Sequence, residues 1–146
     1  MKNIILQPVG ITHTPYTEKA PFRPDENADG DFFIDLHPEY SEALYKLDAF
    51  SHIIAIFYFD RINEVHLTAH PPRLNGEEVG LFASRSPYRP NKIGLNVLGL
   101  LKIEGSRIFT SPMDVLDATP VLDIKPYIPD TDLKIHASRG WLPEGP

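Results

Sequence analysis

The chain has 146 residues, 42% of them hydrophobic and 23% charged, which is enough to enclose one hydrophobic core but not two comfortable ones. It contains no cysteine, and this excludes disulfide scaffolds, thiolate metal sites and thiol nucleophiles. A formal net charge of −6 argues against coating nucleic acid by bulk electrostatics, and no apolar run approaches bilayer-spanning length, so residues 1–146 read as one soluble, cytoplasmic domain.

Fifteen prolines and nine glycines interrupt the chain too often for long helices, and the apolar runs between them are short and rich in β-branched and aromatic residues. Ile4 to Thr14 is the first strand candidate, followed by a polar, acidic loop over 17–31. Next, Pro38 suits a first helical turn, and Leu36, Tyr40, Ala43, Leu44 and Leu47 recur at helical spacing, which predicts one short helix over about 38–47. Phe50 to Phe59 is a continuous apolar run suited to a strand buried on both faces, and Val65 to Ala69 alternates. Val79 to Ser84, Ile93 to Ile103 and Ile108 to Ser111 complete the strands, with Glu104-Gly105-Ser106 as the hairpin turn joining the last two. A Gly/Pro-rich tail occupies 130–146. Short strands with regular turn signals and a single helix predict a mainly β fold, a small closed or nearly closed β-barrel, since closure removes exposed edges. Neither G-x-G-x-x-G after a first strand nor a P-loop is present, so a nucleotide-like cofactor would have to be held in another way.

Charge is uneven. From Arg61 to Thr110 seven basic residues face four acidic ones, so that segment is +3 and the remainder −9. It contains the most unusual stretch of the chain, Phe82-Ala83-Ser84-Arg85-Ser86-Pro87-Tyr88-Arg89-Pro90-Asn91-Lys92-Ile93-Gly94-Leu95. Pro87 and Pro90 stiffen this loop and reduce the entropy lost when Arg85 and Arg89 grip a carboxylate or phosphate. A second cluster, Asp114 to Pro129, sets carboxylates among apolar residues; Asp117 or Asp123 could face a cationic centre or a ribose, or could equally form and cap turns. His66 and His70 lie four apart in an alternating segment, a spacing that in a strand separates them by more than ~10 Å, so no metal site is expected.

Taken together, these segments resemble the TsaA/TrmO-like family over roughly Pro8 to Pro129. The resemblance is carried by Val9-Gly10-Ile11 leading into Thr14-Pro15-Tyr16, by Leu47-Asp48-Ala49-Phe50-Ser51-His52-Ile53, and by His70-Pro71-Pro72-Arg73. Its most specific parts are Gly80 to Leu95 and Leu116-Asp117-Ala118-Thr119-Pro120-Val121-Leu122-Asp123-Ile124-Lys125-Pro126-Tyr127. The resemblance implies a β-barrel methyltransferase that binds S-adenosylmethionine, releases S-adenosylhomocysteine and forms a homodimer. The acceptor it implies is the exocyclic nitrogen of threonylcarbamoyladenosine in the tRNA anticodon loop, with neither DNA nor a membrane as partner. Carried over by motif, the cofactor contacts fall at Pro21, Phe22 and Arg23, at His52 and Ile53, at Arg85, at Leu95, and at Asp117, Ala118, Thr119 and Pro120. Arg73, Arg89, Asn91 and Lys92 would hold the RNA, and Tyr88, Asp117 and Asp123 are the candidates for a general base.

Three positions depart from the family pattern. Pro21-Phe22-Arg23 stands where Pro-x-Gln is usual, Lys92 where a proline is usual, and Ala118 where a glycine is usual, which strains the backbone if that position needs a positive φ. The chain also stops about twenty residues after the last motif, short of the C-terminal domain of longer members, so cofactor identity is better specified than acceptor identity. Competing readings are a methyltransferase of the same fold for another RNA or a small molecule, a non-catalytic S-adenosylmethionine-binding module and, weakest, a metal-dependent hydrolase built on the histidines.

Overall fold

In the computed structural model, which describes residues 2–143, six strands close on one another. They are β1 (Gly10–His13), β2 (Phe33–Leu36), β3 (His52–Tyr58), β6 (Ile93–Glu104), β7 (Arg107–Thr110) and β8 (Pro120–Pro126), in the barrel order β1-β2-β7-β6-β3-β8. All neighbouring pairs are antiparallel, and a separate two-stranded ribbon joins β4 (Thr68–Ala69) to β5 (Val79–Gly80). The barrel is filled by the inward residues, among them Ile34, Ile53, Ala55, Phe57, Leu98, Ile108, Met113, Val115 and Val121. Closure pairs each strand on both edges, which is how four-residue strands such as β1 and β2 persist.

Several elements differ from their sequence expectation, each for a physical reason. The apolar run of β3 is not buried on both faces: Ile53, Ala55 and Phe57 fill the barrel, whereas Ile54, Ile56 and Tyr58 point outward and are half-buried. The strand expected over Ile4–Thr14 shortens to Gly10–His13, because only that stretch has partners on β2 and β8, while Ile4, Ile5 and Leu6 are exposed. Val65–Ala69 and Val79–Ser84 shrink to the two-residue β4 and β5, and Leu81–Ala83 turns into a 3-10 helix. Strands β2 and β8 had no strand expectation. The first is a four-residue segment behind the polar loop, and the second is bounded by prolines and bulged, so that Ile56 pairs with Asp123 but Phe57 with Val121, leaving Leu122 unmatched.

The helix expected over 38–47 is present as a 3-10 helix, Pro38–Leu44, opened by Pro38. Lys46, at φ 69, separates it from a second 3-10 turn, Leu47–Ala49, and Leu44 and Leu47 pack on the core. Gly105, at φ 60, makes the expected tight hairpin between β6 and β7, where Glu104 pairs with Arg107. A four-residue helix, α1 (Pro129–Asp132), follows β8.

What positions the site is the excursion between β3 and β6. These strands are neighbours in the barrel, yet residues 59–92 leave it and return, the base closed by the Phe59 N–H donating to the Lys92 carbonyl at 2.8 Å. The ribbon and the Arg-rich loop therefore stand beside the barrel end at which β3 finishes and β6 begins.

Candidate functional site

A groove of about 1420 Å3 opens at that end. Its walls come from Pro21, Phe22 and Arg23 of the polar loop, the excursion, the start of β6, the 114–119 turn and residues 138–142. Six arginines line it (Arg23, Arg61, Arg73, Arg85, Arg89 and Arg139) against the carboxylates Asp60 and Asp114, so its lining is strongly positive in a protein of net charge −6.

The Arg-rich loop is folded by its own polar side chains. The Ser84 hydroxyl donates to the Leu81 carbonyl at 2.8 Å, and the hydroxyls of Ser84 and Ser86 accept from the Ser86 and Tyr88 N–H groups at 3.3 Å each. Arg89 Nη1 donates to the carbonyls of Ser84, Ser86 and Leu81 at 2.9, 3.2 and 3.4 Å, and its guanidinium lies 5.6 Å from the Phe82 ring centre. Arg89 is thus the clasp of the loop through Nη1 while it also lines the groove. Arg85 is different: among the described residues its guanidinium enters no hydrogen bond or ion pair within the chain, and it faces the groove with its charge felt at Asp114.

Of the two groove carboxylates, Asp114 is the one beside Asn96. Burial pushes its carboxyl above the ordinary carboxylate value, against the lowering effects of the Asn96 amide, its own backbone and Arg85. Asn96 projects inward from β6, donates through Nδ2 to the Leu95 carbonyl at 2.9 Å, and keeps a buried Oδ1 without a protein partner. A buried amide oxygen in that state is an acceptor awaiting a donor. One groove thus holds a cation without a protein partner among the described residues, a carboxylate and an unused acceptor.

The other expected residues separate into two groups. Pro21, Phe22, Arg23, Arg73, Tyr88, Leu95 and Thr119 line the groove with Arg85 and Arg89, and the Tyr88 ring stacks on His66 at 4.5 Å with an interplanar angle of 7°. His52 and Ile53 do not line it: His52 lies at the opposite end of β3 beside Ser51 and Tyr127, and Ile53 is core. Asp117, Ala118 and Pro120 stay outside as well. Asp117 Oδ1 accepts the Thr14 N–H at 3.0 Å and lies 3.4 Å from His13 Nδ1, so this carboxylate ties the turn to β1. Ala118 sits at φ 62, the left-handed conformation for which the family's glycine is suited. Asp123 pairs with Lys125 at 2.7 Å on β8, away from the groove, and Lys92 Nζ is spent on the Ile62 carbonyl at 2.8 Å; Asn91 does not line the groove.

Sequence reasoning passed over Asp114, Asn96 and Arg61. Arg61 Nη2 donates to the Asp117 carbonyl at 2.7 Å and to Thr119 Oγ1 at 3.1 Å, joining the root of the excursion to the 117–119 turn. The available signal for Asn96 was a polar residue on the inward alternation of a β6 run whose neighbours are Gly94 and Leu98. For Asp114 there was none beyond membership of the acidic cluster.

The sequence matches the family described as tRNA-methyltransferase O N-terminal domain over residues 11–133. The chain belongs to this family. Within the tRNA-methyltransferase O N-terminal domain family it is similar to a probable S-adenosyl-L-methionine-binding protein of Pyrococcus abyssi, 38% identical over 95% of this chain and 76% of that protein. It is also similar to the tRNA (adenine(37)-N6)-methyltransferase of Mus musculus, 46% identical over 68% of this chain but 24% of that protein. Among solved structures, the crystal structure of TrmO superposes with a TM-score of 0.80 at 33% identity, covering 98% of this chain and 64% of that one. TrmO from Pseudomonas aeruginosa gives 0.79 at 32% identity, over 99% and 65%. The chain thus spans about a quarter of the mouse relative and somewhat under two thirds of these solved chains.

Proposed function

We propose that this protein is an S-adenosylmethionine-dependent methyltransferase that modifies the exocyclic nitrogen of an adenosine in the tRNA anticodon loop, threonylcarbamoyladenosine being the acceptor. The observation that carries this reading is that Arg85, which has no protein partner among the described residues, shares one groove with Asp114, the orphan Asn96 Oδ1 and five further arginines. S-adenosylmethionine carries an α-carboxylate beside an α-ammonium, and this pair of groups matches a guanidinium on one side and a carboxylate with an amide oxygen on the other. Leu95 and Phe22, exposed on the groove wall, suit the faces of its adenine. When bound, the cofactor supplies an electrophilic methyl group on sulfur. The chain's own contribution is to orient, hold charge and exclude water, and positioning of this kind can supply much of the acceleration. Of the candidates for accepting the acceptor's proton, Tyr88 lines the groove, whereas Asp117 and Asp123 are engaged elsewhere; Asp114, which the sequence did not single out, joins Tyr88 there. Arg23 and Arg73 on the walls suit the phosphates and the threonyl carboxylate of the acceptor, whereas the Arg139 guanidinium donates to the Pro143 carbonyl.

The outer face of the barrel supports the homodimer that the family resemblance implies. Ile54 lies beside Val97 and Ile56 beside Leu95, and Ile93, Leu95, Val97 and Leu101 are all exposed there. No helix among the described residues is long and apolar enough to cross a membrane.

The test is transfer of labelled methyl from S-adenosylmethionine to total tRNA prepared with and without the threonylcarbamoyl group, using wild-type protein and Arg85→Ala. Transfer that needs both the modification and Arg85 supports the full reading. Transfer to unmodified tRNA points to another acceptor, and calorimetric cofactor binding without transfer to any tRNA would overturn the enzymatic reading in favour of a binding module.

A further inference from the structure

The chain beyond α1 returns to the groove, and residues 138–142 form one of its walls. Gly140, at φ 58, turns this strap, and the Leu142 N–H closes the turn on the Arg139 carbonyl at 3.0 Å. Its anchor is the Trp141 indole N–H, which donates to the Ala83 carbonyl at 2.7 Å. That bond uses the only polar atom of the ring, so what Trp141 has left to offer the groove is π surface. Ala83 belongs to the 81–83 turn that leads into Arg85, and its neighbour Phe82 is 83% exposed, the Arg89 guanidinium lying near its ring. An indole face beside a second exposed aromatic ring that carries a guanidinium has the chemistry that grips unstacked bases of single-stranded nucleic acid.

We infer that Trp141 is a stacking platform for a nucleobase of the acceptor RNA loop, so that the 138–142 strap serves RNA binding rather than cofactor binding. The inference rests on the RNA-methyltransferase reading above. It separates from a purely structural role, in which Trp141 only pins the strap to Ala83, because a phenyl ring can stack but cannot donate to that carbonyl.

Trp141 is the sole tryptophan of the chain, so intrinsic emission reports it directly. A labelled anticodon stem-loop oligonucleotide gives the RNA affinity independently by anisotropy, and calorimetry with S-adenosylhomocysteine gives the cofactor affinity. The expected result is quenching of tryptophan emission by the RNA and not by S-adenosylhomocysteine alone. Trp141→Ala should weaken RNA binding roughly 5- to 150-fold, the range for loss of one stacked base, with S-adenosylhomocysteine affinity unchanged. Trp141→Phe should keep most of the RNA affinity. Three results would overturn the inference while leaving the RNA reading intact: RNA bound and methylated without quenching, Trp141→Phe as weak as Trp141→Ala, or quenching by S-adenosylhomocysteine alone. Failure of the wild-type protein to bind the RNA by anisotropy would overturn both together.

Discussion

Ala118 should be replaceable by glycine with a gain in stability. It holds φ at 62, its N–H is bound to the Thr12 carbonyl at 3.0 Å, and its methyl group is exposed. The left-handed conformation costs an L-residue about 1–2 kcal/mol, which glycine does not incur. Against this stands the greater freedom of glycine in the unfolded chain, worth about 0.4–1 kcal/mol. No buried surface is lost with the methyl, so Ala118→Gly should stabilise by roughly 0.5–1 kcal/mol, a rise in Tm of about 1–4 °C for a domain of this size. Ala118→Val should lower Tm, because a β-branched residue tolerates positive φ poorly. Scanning calorimetry of the three proteins at one scan rate measures both effects, and the glycine variant should bind S-adenosylhomocysteine as the wild type does. A Tm for Ala118→Gly at or below wild type would refute the reasoning, since it would mean that the turn relaxes out of the left-handed region and does not rigidly hold Thr119 and the Asp117 carbonyl under Arg61.

Three other outcomes follow from the groove. Arg85→Ala should weaken S-adenosylhomocysteine binding about 10- to 150-fold, the loss of a hydrogen bond to a charged group, with little change in Tm because its guanidinium has no partner among the described residues; calorimetric titration and thermal melts check both halves. Arg89→Ala should lower Tm and cofactor affinity together, because it releases the carbonyls of Ser84 and Ser86 that shape the loop; an unchanged Tm and cofactor affinity would show that the loop does not depend on this clasp. The carboxyl of Asp114 titrates above its unfolded value, so the native state holds that proton more tightly and this group's contribution to stability falls as pH rises from the unfolded carboxylate value through the raised native one. Asp114→Asn should accordingly gain stability relative to wild type as pH goes from 4 to 7, read from the difference in Tm, while binding S-adenosylhomocysteine less well at pH 7.

Arg85 was legible in the chain because its neighbours announce it: Pro87 and Pro90 stiffen a loop that can only lie between two apolar runs, and the motif order Gly80 to Leu95 carries the family resemblance. The barrel was legible for a similar reason, since short alternating runs punctuated by proline and glycine leave closure as the economical way to pair every edge. His52 shows where local reading stops. It begins the same strand that ends beside the groove, but six residues at about 3.3 Å each place it roughly 20 Å from Tyr58, so membership of a motif says nothing about which end of the barrel a side chain serves. The acidic cluster makes the same point on a smaller scale. Asp114, Asp117 and Asp123 are alike as residues, and they are sorted by a left-handed turn at Ala118, the bond from Thr14, the pairing with Lys125 and a bulge at Leu122. By itself the sequence determined the fold class, the rigid Arg85 loop and the family; the tertiary structure decided that Asp114 and Asn96, remote from each other in the chain, line one groove with Arg85, because which face a carboxylate takes depends on turns and register that are settled only when β6, β8 and β1 close the barrel.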